Sequence, residues 1–216
     1  MIPPRQIRAR YDERTITVYQ AYNRQIGEYA AAHGRFAPSY NRERMTWIKP
    51  SFLWMMYRSG WAAKADQECV LAIQITRAGF EWALAHSGLS HFDSAVHADR
   101  NEWAATRHRP VRVQWDPERS LTMQRLPHRS LQMGLSREAV HRYVDEWIVG
   151  IEDVTDLAHR IHALLRDPGS CKAAESALPA ERPYPLPEEI AATCGMRPPK
   201  ADLGAGAASG DTWVDG

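Results

Sequence analysis

The sequence predicts an α+β fold in a single domain: a mixed or antiparallel sheet, a long C-terminal amphipathic helix and an irregular tail. Three observations carry this expectation. Short stretches rich in β-branched and aromatic residues alternate with short helical patterns, in the order β, α, β, α, β, α, β. The run Cys69–Thr76 (CVLAIQIT) is continuously apolar in its first half, as a central strand covered on both faces would be. In Arg137–Leu165, apolar residues from Val140 to Leu165 recur at helical spacing. From Asp167 onward the pattern stops, and that stretch holds seven of the 14 prolines and six of the 13 glycines. The chain therefore divides into a domain at 1–166 and a tail at 167–216 that either wraps the domain or is disordered. A total of 216 residues suits one core better than two.

Each element has a local reason. Ile7–Tyr11 and Thr15–Tyr22 read as extended, joined by the polar Asp12-Glu13-Arg14. Asn23 is a good N-cap for a helix over Arg24–His33, and Gly34 is its expected stop. Phe36–Arg44 reads as a loop and Arg44–Lys49 as a short strand. Pro50-Ser51 then opens a helix, Phe52–Arg58, that ends at Gly60. After the strand Cys69–Thr76, a short helix is expected at Phe80–His86, following Gly79. Ser87–Arg109 is polar and reads as a long irregular excursion. Val111–Trp115 alternates as a strand, Asp116-Pro117-Glu118-Arg119 reads as a turn, and Leu131–Leu135 as another strand. Ser136 is a natural cap for the periodic segment, which Gly150 divides or bends.

Composition narrows the function classes. The longest wholly apolar run is Phe52–Tyr57, six residues, too short to span a bilayer. No apolar leader follows Met1, and three cysteines without a CxxC pair give no disulfide framework, so a reduced cytoplasmic setting is expected. The net charge of +1 hides an asymmetry. Residues 1–64 hold eleven Lys or Arg against four Asp or Glu, a balance of +7, and eleven of the twenty aromatic rings. The remainder stands at −6. Such a segment either binds phosphates and stacks a base, or is a ring-rich core with arginines on its surface.

Most motif tests fail. The chain has no GxxxxGK[ST] and no GxSxG, and Leu203-Gly204-Ala205-Gly206 follows no strand signal. His159 and His162 share a helix face without a third ligand at a fixed spacing, so no metal site is expected. Two segments stand out. Val18-Tyr19-Gln20-Ala21-Tyr22 ends a strand with a polar residue between tyrosines. Arg44–Arg58 crowds bases, hydroxyls and large rings, and places Lys49 and Ser51 beside a helix N-terminus suited to an anion.

The run RMTWIKPSFLWMMYRSGW, with IRARYD and VYQAY before it and VLAIQITRAGF, VRVQWDPER and RSLQMGL after it, resembles the DUF4291 family over about residues 5–165. That family carries no assigned activity. A looser resemblance, from VYQAY through the Ser51 and Tyr57 element to VLAIQI, is to the opening of an ADP-ribosyltransferase fold. It implies NAD as substrate. Gln20, or Arg8 or Arg10 on the preceding stretch, would hold its ribose. Ser51 or Tyr57 would support the nicotinamide. Glu118 or Gln132 would stand for the late acidic residue.

The expectation is an ADP-ribosyltransferase-like protein that binds NAD and modifies a nucleotide or nucleic acid, with catalytic Gln20, Ser51 and Glu118. Arg8, Arg10 and Lys49 would neutralise the pyrophosphate, and Tyr19, Tyr22, Trp54 or Tyr57 would line the cofactor, with Trp47 a further stacking ring. The alternative is a non-catalytic nucleic-acid-binding module using the same surface.

Overall fold

The computed structural model describes residues 2–196. Its first sheet is antiparallel, with strand β4 (Cys69–Thr76) between β2 (Thr15–Tyr22) and β8 (Ile148–Asp153). β2 pairs with β4 along its full length, from Thr15 opposite Thr76 to Tyr22 opposite Cys69. The central place of β4 follows from its apolar run: Val70, Leu71, Ile73 and Ile75 are fully buried.

The second sheet runs β3 (Thr46–Ile48), β7 (Arg125–Leu135), β6 (Val111–Arg119), β5 (Ser87–Leu89), with only the β5–β6 pair parallel. A third, two-residue pair joins β1 (Arg8–Ala9) to β9 (Arg182–Pro183). The two larger sheets meet at one bridge. The Tyr19 N–H donates to the Lys49 carbonyl at 2.6 Å, and the Lys49 N–H returns a bond to the Tyr19 carbonyl at 3.2 Å. The fold is α+β, as the sequence predicts.

The early helices follow their caps. α1 (Arg24–His33) starts where the Asn23 side chain accepts from the Ile26 N–H, and ends at Gly34 with φ 64°. α2 (Phe52–Ser59) starts at Ser51, whose Oγ accepts from the Trp54 N–H at 3.1 Å, and ends at Gly60 with φ 59°. α1 lies so close to β4 that a Cβ on Gly27 would sit 2.3 Å from Cys69 Sγ. Gly27→Ala is therefore expected to destabilise the protein by about 1–3 kcal/mol despite alanine's better helix propensity. Urea denaturation of the two proteins checks it, and an unchanged midpoint would mean that α1 shifts freely.

Four stretches differ from the sequence expectation, each for a tertiary reason. The periodic segment 137–165 is not one helix. It forms α5 (Glu138–Arg142), a π-helical turn at Tyr143–Trp147, strand β8 and then α6 (Thr155–Leu164). β4 needs a second partner, and pairing along it outweighs the local period. Gly150, poor in a helix, stands opposite Gln74 in that ladder. Asp116–Arg119 is not a turn but the end of β6. The chain reverses at Ser120–Gln124, where Ser120 and Gln124 share a backbone bond. Pro117 has no N–H to donate, and the register slips between Pro117 and Arg119. The excursion 87–109 contains β5 and α4 (Arg100–Ala105), the latter capped by the Asp99 carboxylate. α3 (Arg77–Ala85) starts before Gly79, because the Thr76 hydroxyl accepts from the Gly79 N–H.

Beyond residue 166 lie α7 (Cys171–Ser176), β9 and α8 (Glu188–Thr193). Tyr184 is buried and donates to Glu81 Oε1 at 2.6 Å, while the Cys194 carbonyl accepts from Trp115 Nε1 at 2.8 Å. Leu203–Gly206 falls outside the described residues. No helix among the described residues is long and apolar enough to cross a membrane.

Candidate functional site

Where the two sheets meet, they splay into a cleft of about 890 Å³. β2 contributes Gln20 and Tyr22, β3 and its flanks contribute Thr46, Trp47 and Lys49, and α2 contributes Trp54, Met55 and Arg58. The β6–β7 hairpin contributes Gln114, Asp116 and Gln132. Gln114 and Gln132 face one another across the ladder, so their side chains share one face. Both carboxamides donate to Asp116: Gln114 Nε2 lies 3.0 Å and 3.1 Å from its two oxygens, and Gln132 Nε2 lies 2.5 Å from Oδ2. Two neutral donors thus fix the position of this carboxylate.

Lys49 is the unusual group. It is 6% exposed, and its Nζ meets only the Trp47 carbonyl, at 3.4 Å. Among the described residues it forms no ion pair. Burial, reinforced by the neighbouring Arg58 cation and opposed in part by Asp116, pulls its ammonium down from 10.5 to about 7. Near neutral pH this side chain is partly an uncharged amine inside a cleft.

A family model covering residues 6–184, for a domain of unknown function, matches the chain. The chain belongs to the DUF4291 family. No match is found among curated proteins.

In this DUF4291 protein, six of the sequence-predicted site residues come together in the cleft: Gln20, Tyr22, Trp47, Lys49, Trp54 and Gln132. Gln20 is fully engaged there. Its Nε2 donates to Thr46 Oγ1 at 2.7 Å and to the Trp47 carbonyl at 3.1 Å, and its Oε1 accepts from the buried Tyr143 hydroxyl at 2.7 Å. Both amide hydrogens are spent, so Gln20 ties β2 to β3 instead of offering donors to a ligand. Tyr22 and Tyr40 complete the network through Thr46, at 3.2 Å and 2.9 Å. Burial holds the Tyr22 and Tyr143 phenols well above their ordinary value. Trp54 is 4% exposed, and its indole N–H is buried without a partner among the described residues.

The other six predicted site residues do not line the cleft. Ser51 caps α2. Tyr19 is buried edge-on against Phe52, its ring centroid 5.5 Å away. Tyr57 is exposed, with the Arg119 guanidinium 3.7 Å above its ring. Arg8 reaches the Glu181 carbonyl at 3.2 Å, and Arg10 lines a separate pocket of about 150 Å³ with Gln74 and Glu152. Glu118 is buried with its Oε1 on the Arg119 N–H at 2.8 Å, close enough to Glu181 to help raise that carboxyl. Burial is the larger cause, and it takes Glu181 to about 8 against the N–H of Phe52 and the charge of Arg8.

Asp116, Gln114, Tyr40, Thr46 and Tyr143 escape the sequence reading. The signal for the first two is the alternation of Val111, Val113 and Trp115: continued past Trp115, it sets Gln114 and Asp116 together on the opposite face. The charge asymmetry also acquires a structural partner. Arg5 pairs with Asp93 and Arg42 with Asp145, each at 2.6 Å, so bases of the first third meet acids of the remainder. The two buried cysteines are poor nucleophiles: burial, with Asp153 beside it, pushes the Cys69 thiol up to about 11, and burial takes Cys194 to about 12.

Proposed function

We propose that the cleft binds a nucleotide, and that the protein is an ADP-ribosyltransferase-like enzyme using NAD to modify a nucleotide or nucleic acid. One observation carries this reading. A buried lysine amine and a carboxylate held by two carboxamides face a single cleft between large rings and two exposed arginines. Its volume lies within the range of small-molecule sites. Arg44 and Arg58 at the rim suit a pyrophosphate, and Trp47 and Trp54 suit an aromatic base.

In this scheme Asp116, instead of Glu118, supplies the carboxylate. Breaking the bond from C1′ to nicotinamide leaves positive charge on the sugar, and a fixed anion nearby lowers that barrier. Nicotinamide departs neutral with the bonding pair, and the acceptor's nucleophilic atom takes its place.

Thermal melting with NAD, ATP and nicotinamide tests the binding half, since a ligand of the folded state raises the melting temperature by mass action. Asp116→Asn is expected to keep that shift while slowing nicotinamide release by about 10²-fold or more. The reading fails if NAD neither shifts the melt nor is consumed with RNA, DNA or nucleotides present. RNA affinity that falls steeply with salt, without any effect of NAD, would favour the binding module instead.

A further inference from the structure

The sequence holds only four lysines beside 23 arginines. Lys64 and Lys172 are exposed, and Lys64 Nζ donates to the Arg58 carbonyl at 2.7 Å. Lys49 stands apart: it lies in the cleft wall, its strand is tied to β2 through its own backbone, and its amine has one long contact. If its task were only to hold a phosphate, an exposed ammonium or another arginine would serve better. Burial beside a cation is instead the arrangement that frees a lysine lone pair for attack on a carbonyl. Arg58 supplies that cation, and Asp116 lies on the same cleft wall to carry protons.

The geometry points to Lys49 as an imine-forming nucleophile for the C1 aldehyde of a phosphorylated aldose such as ADP-ribose. The choice of sugar rests on the NAD reading, because water as acceptor would release ADP-ribose in the cleft. The Nζ lone pair adds to C1, and the carbonyl oxygen takes a proton to become the hydroxyl of a carbinolamine. Nζ then loses a proton to Asp116. That hydroxyl takes a second proton, leaves as water, and the C=N bond forms as an iminium. No oxidant or reductant is needed. Arg44 and Arg58 hold the phosphate, and the Gln114–Asp116–Gln132 group keeps the proton carrier in place.

The experiment incubates the intact protein with ADP-ribose or ribose 5-phosphate and cyanoborohydride at pH 7, then maps modified lysines by peptide mass. Lys49 is expected to be labelled at least about tenfold faster than Lys64 and Lys172, which serve as references within the same molecule. Its labelling rate should level off above pH 7 while theirs keep rising toward pH 10. Equal labelling of all lysines, or none on Lys49, overturns the proposal, and the comparison needs no unstable variant. An adduct on Lys49 formed with ATP and no reductant would also overturn it, since that lysine would then be transferring a nucleotidyl group. The NAD melting shift is read separately. A shift with no adduct defeats the imine alone, and an adduct with no shift defeats the NAD reading alone.

Discussion

Lys49→Met is expected to raise stability at pH 6 by up to about 5 kcal/mol and to leave it nearly unchanged at pH 10. The sign follows from linkage. The unfolded chain holds the ammonium proton up to 10.5, whereas the folded protein releases it near 7. Below pH 7 both states are protonated, and the native state bears the full cost of a buried charge. Between pH 7 and 10.5 only the unfolded state keeps the proton, so stability rises with pH. Methionine fills similar space without the charge and removes that slope. Glu181 acts in the opposite sense. Its carboxyl titrates near 8 in the fold against an ordinary 4.5, so its contribution falls as pH rises across that interval. Together the two groups place a stability minimum near neutrality, and Glu181→Gln isolates the lysine limb. Chemical denaturation from pH 5 to pH 10 measures both. If Lys49→Met keeps the wild-type profile, the lysine is solvated and its proposed chemistry loses its basis. Loss of the imine adduct in the same stable variant would tie the chemistry to this one amine.

The residues that were legible in sequence are those whose reasons are local. Asn23, Ser51, Gly34 and Gly60 mark helix ends through their own side chains or backbone freedom, and the structure places both helices where they indicate. β4 was legible because burial on both faces leaves a continuous apolar run. The split of 137–165 was not, because its cause is the open edge of a strand some seventy residues earlier. The site divides the same way. Lys49 stands out beside Pro50 at a helix start, while Asp116 becomes visible only once β6 is known to continue through Pro117. Glu118, next but one in sequence, would share the face of Asp116 in a regular strand, but the register slips between Pro117 and Arg119, and Glu118 is buried outside the cleft lining. The charge asymmetry was real in sequence, but its cross-chain pairing depends on the fold.

Gln20→Leu is expected to destabilise the protein by about 3–5 kcal/mol, although leucine fits an apolar strand well. The loss comes from the partners left behind. Trp47's carbonyl and the buried Tyr143 hydroxyl lose their bonds to Gln20, whereas Thr46 keeps Tyr22 and Tyr40. Tyr143→Phe alone removes one donor and should cost about 1–2 kcal/mol. The double variant should cost clearly less than the two single effects added, because leucine and phenylalanine leave no unpaired hydroxyl facing an apolar side chain. Additive losses in urea denaturation would show that the two side chains do not act as one clamp. The functional readout follows from position. Gln20 sets the approach of β2 to β3 on either side of the cleft but has no free donor for a ligand. Where a Gln20 variant still folds, its effect should therefore fall on nucleotide affinity through the spacing of the walls. Lys49 and Asp116, still present on those walls, would keep the rate at saturating ligand closer to that of the parent. A Gln20 that took part in the chemistry would show the reverse split, with affinity kept and rate lost.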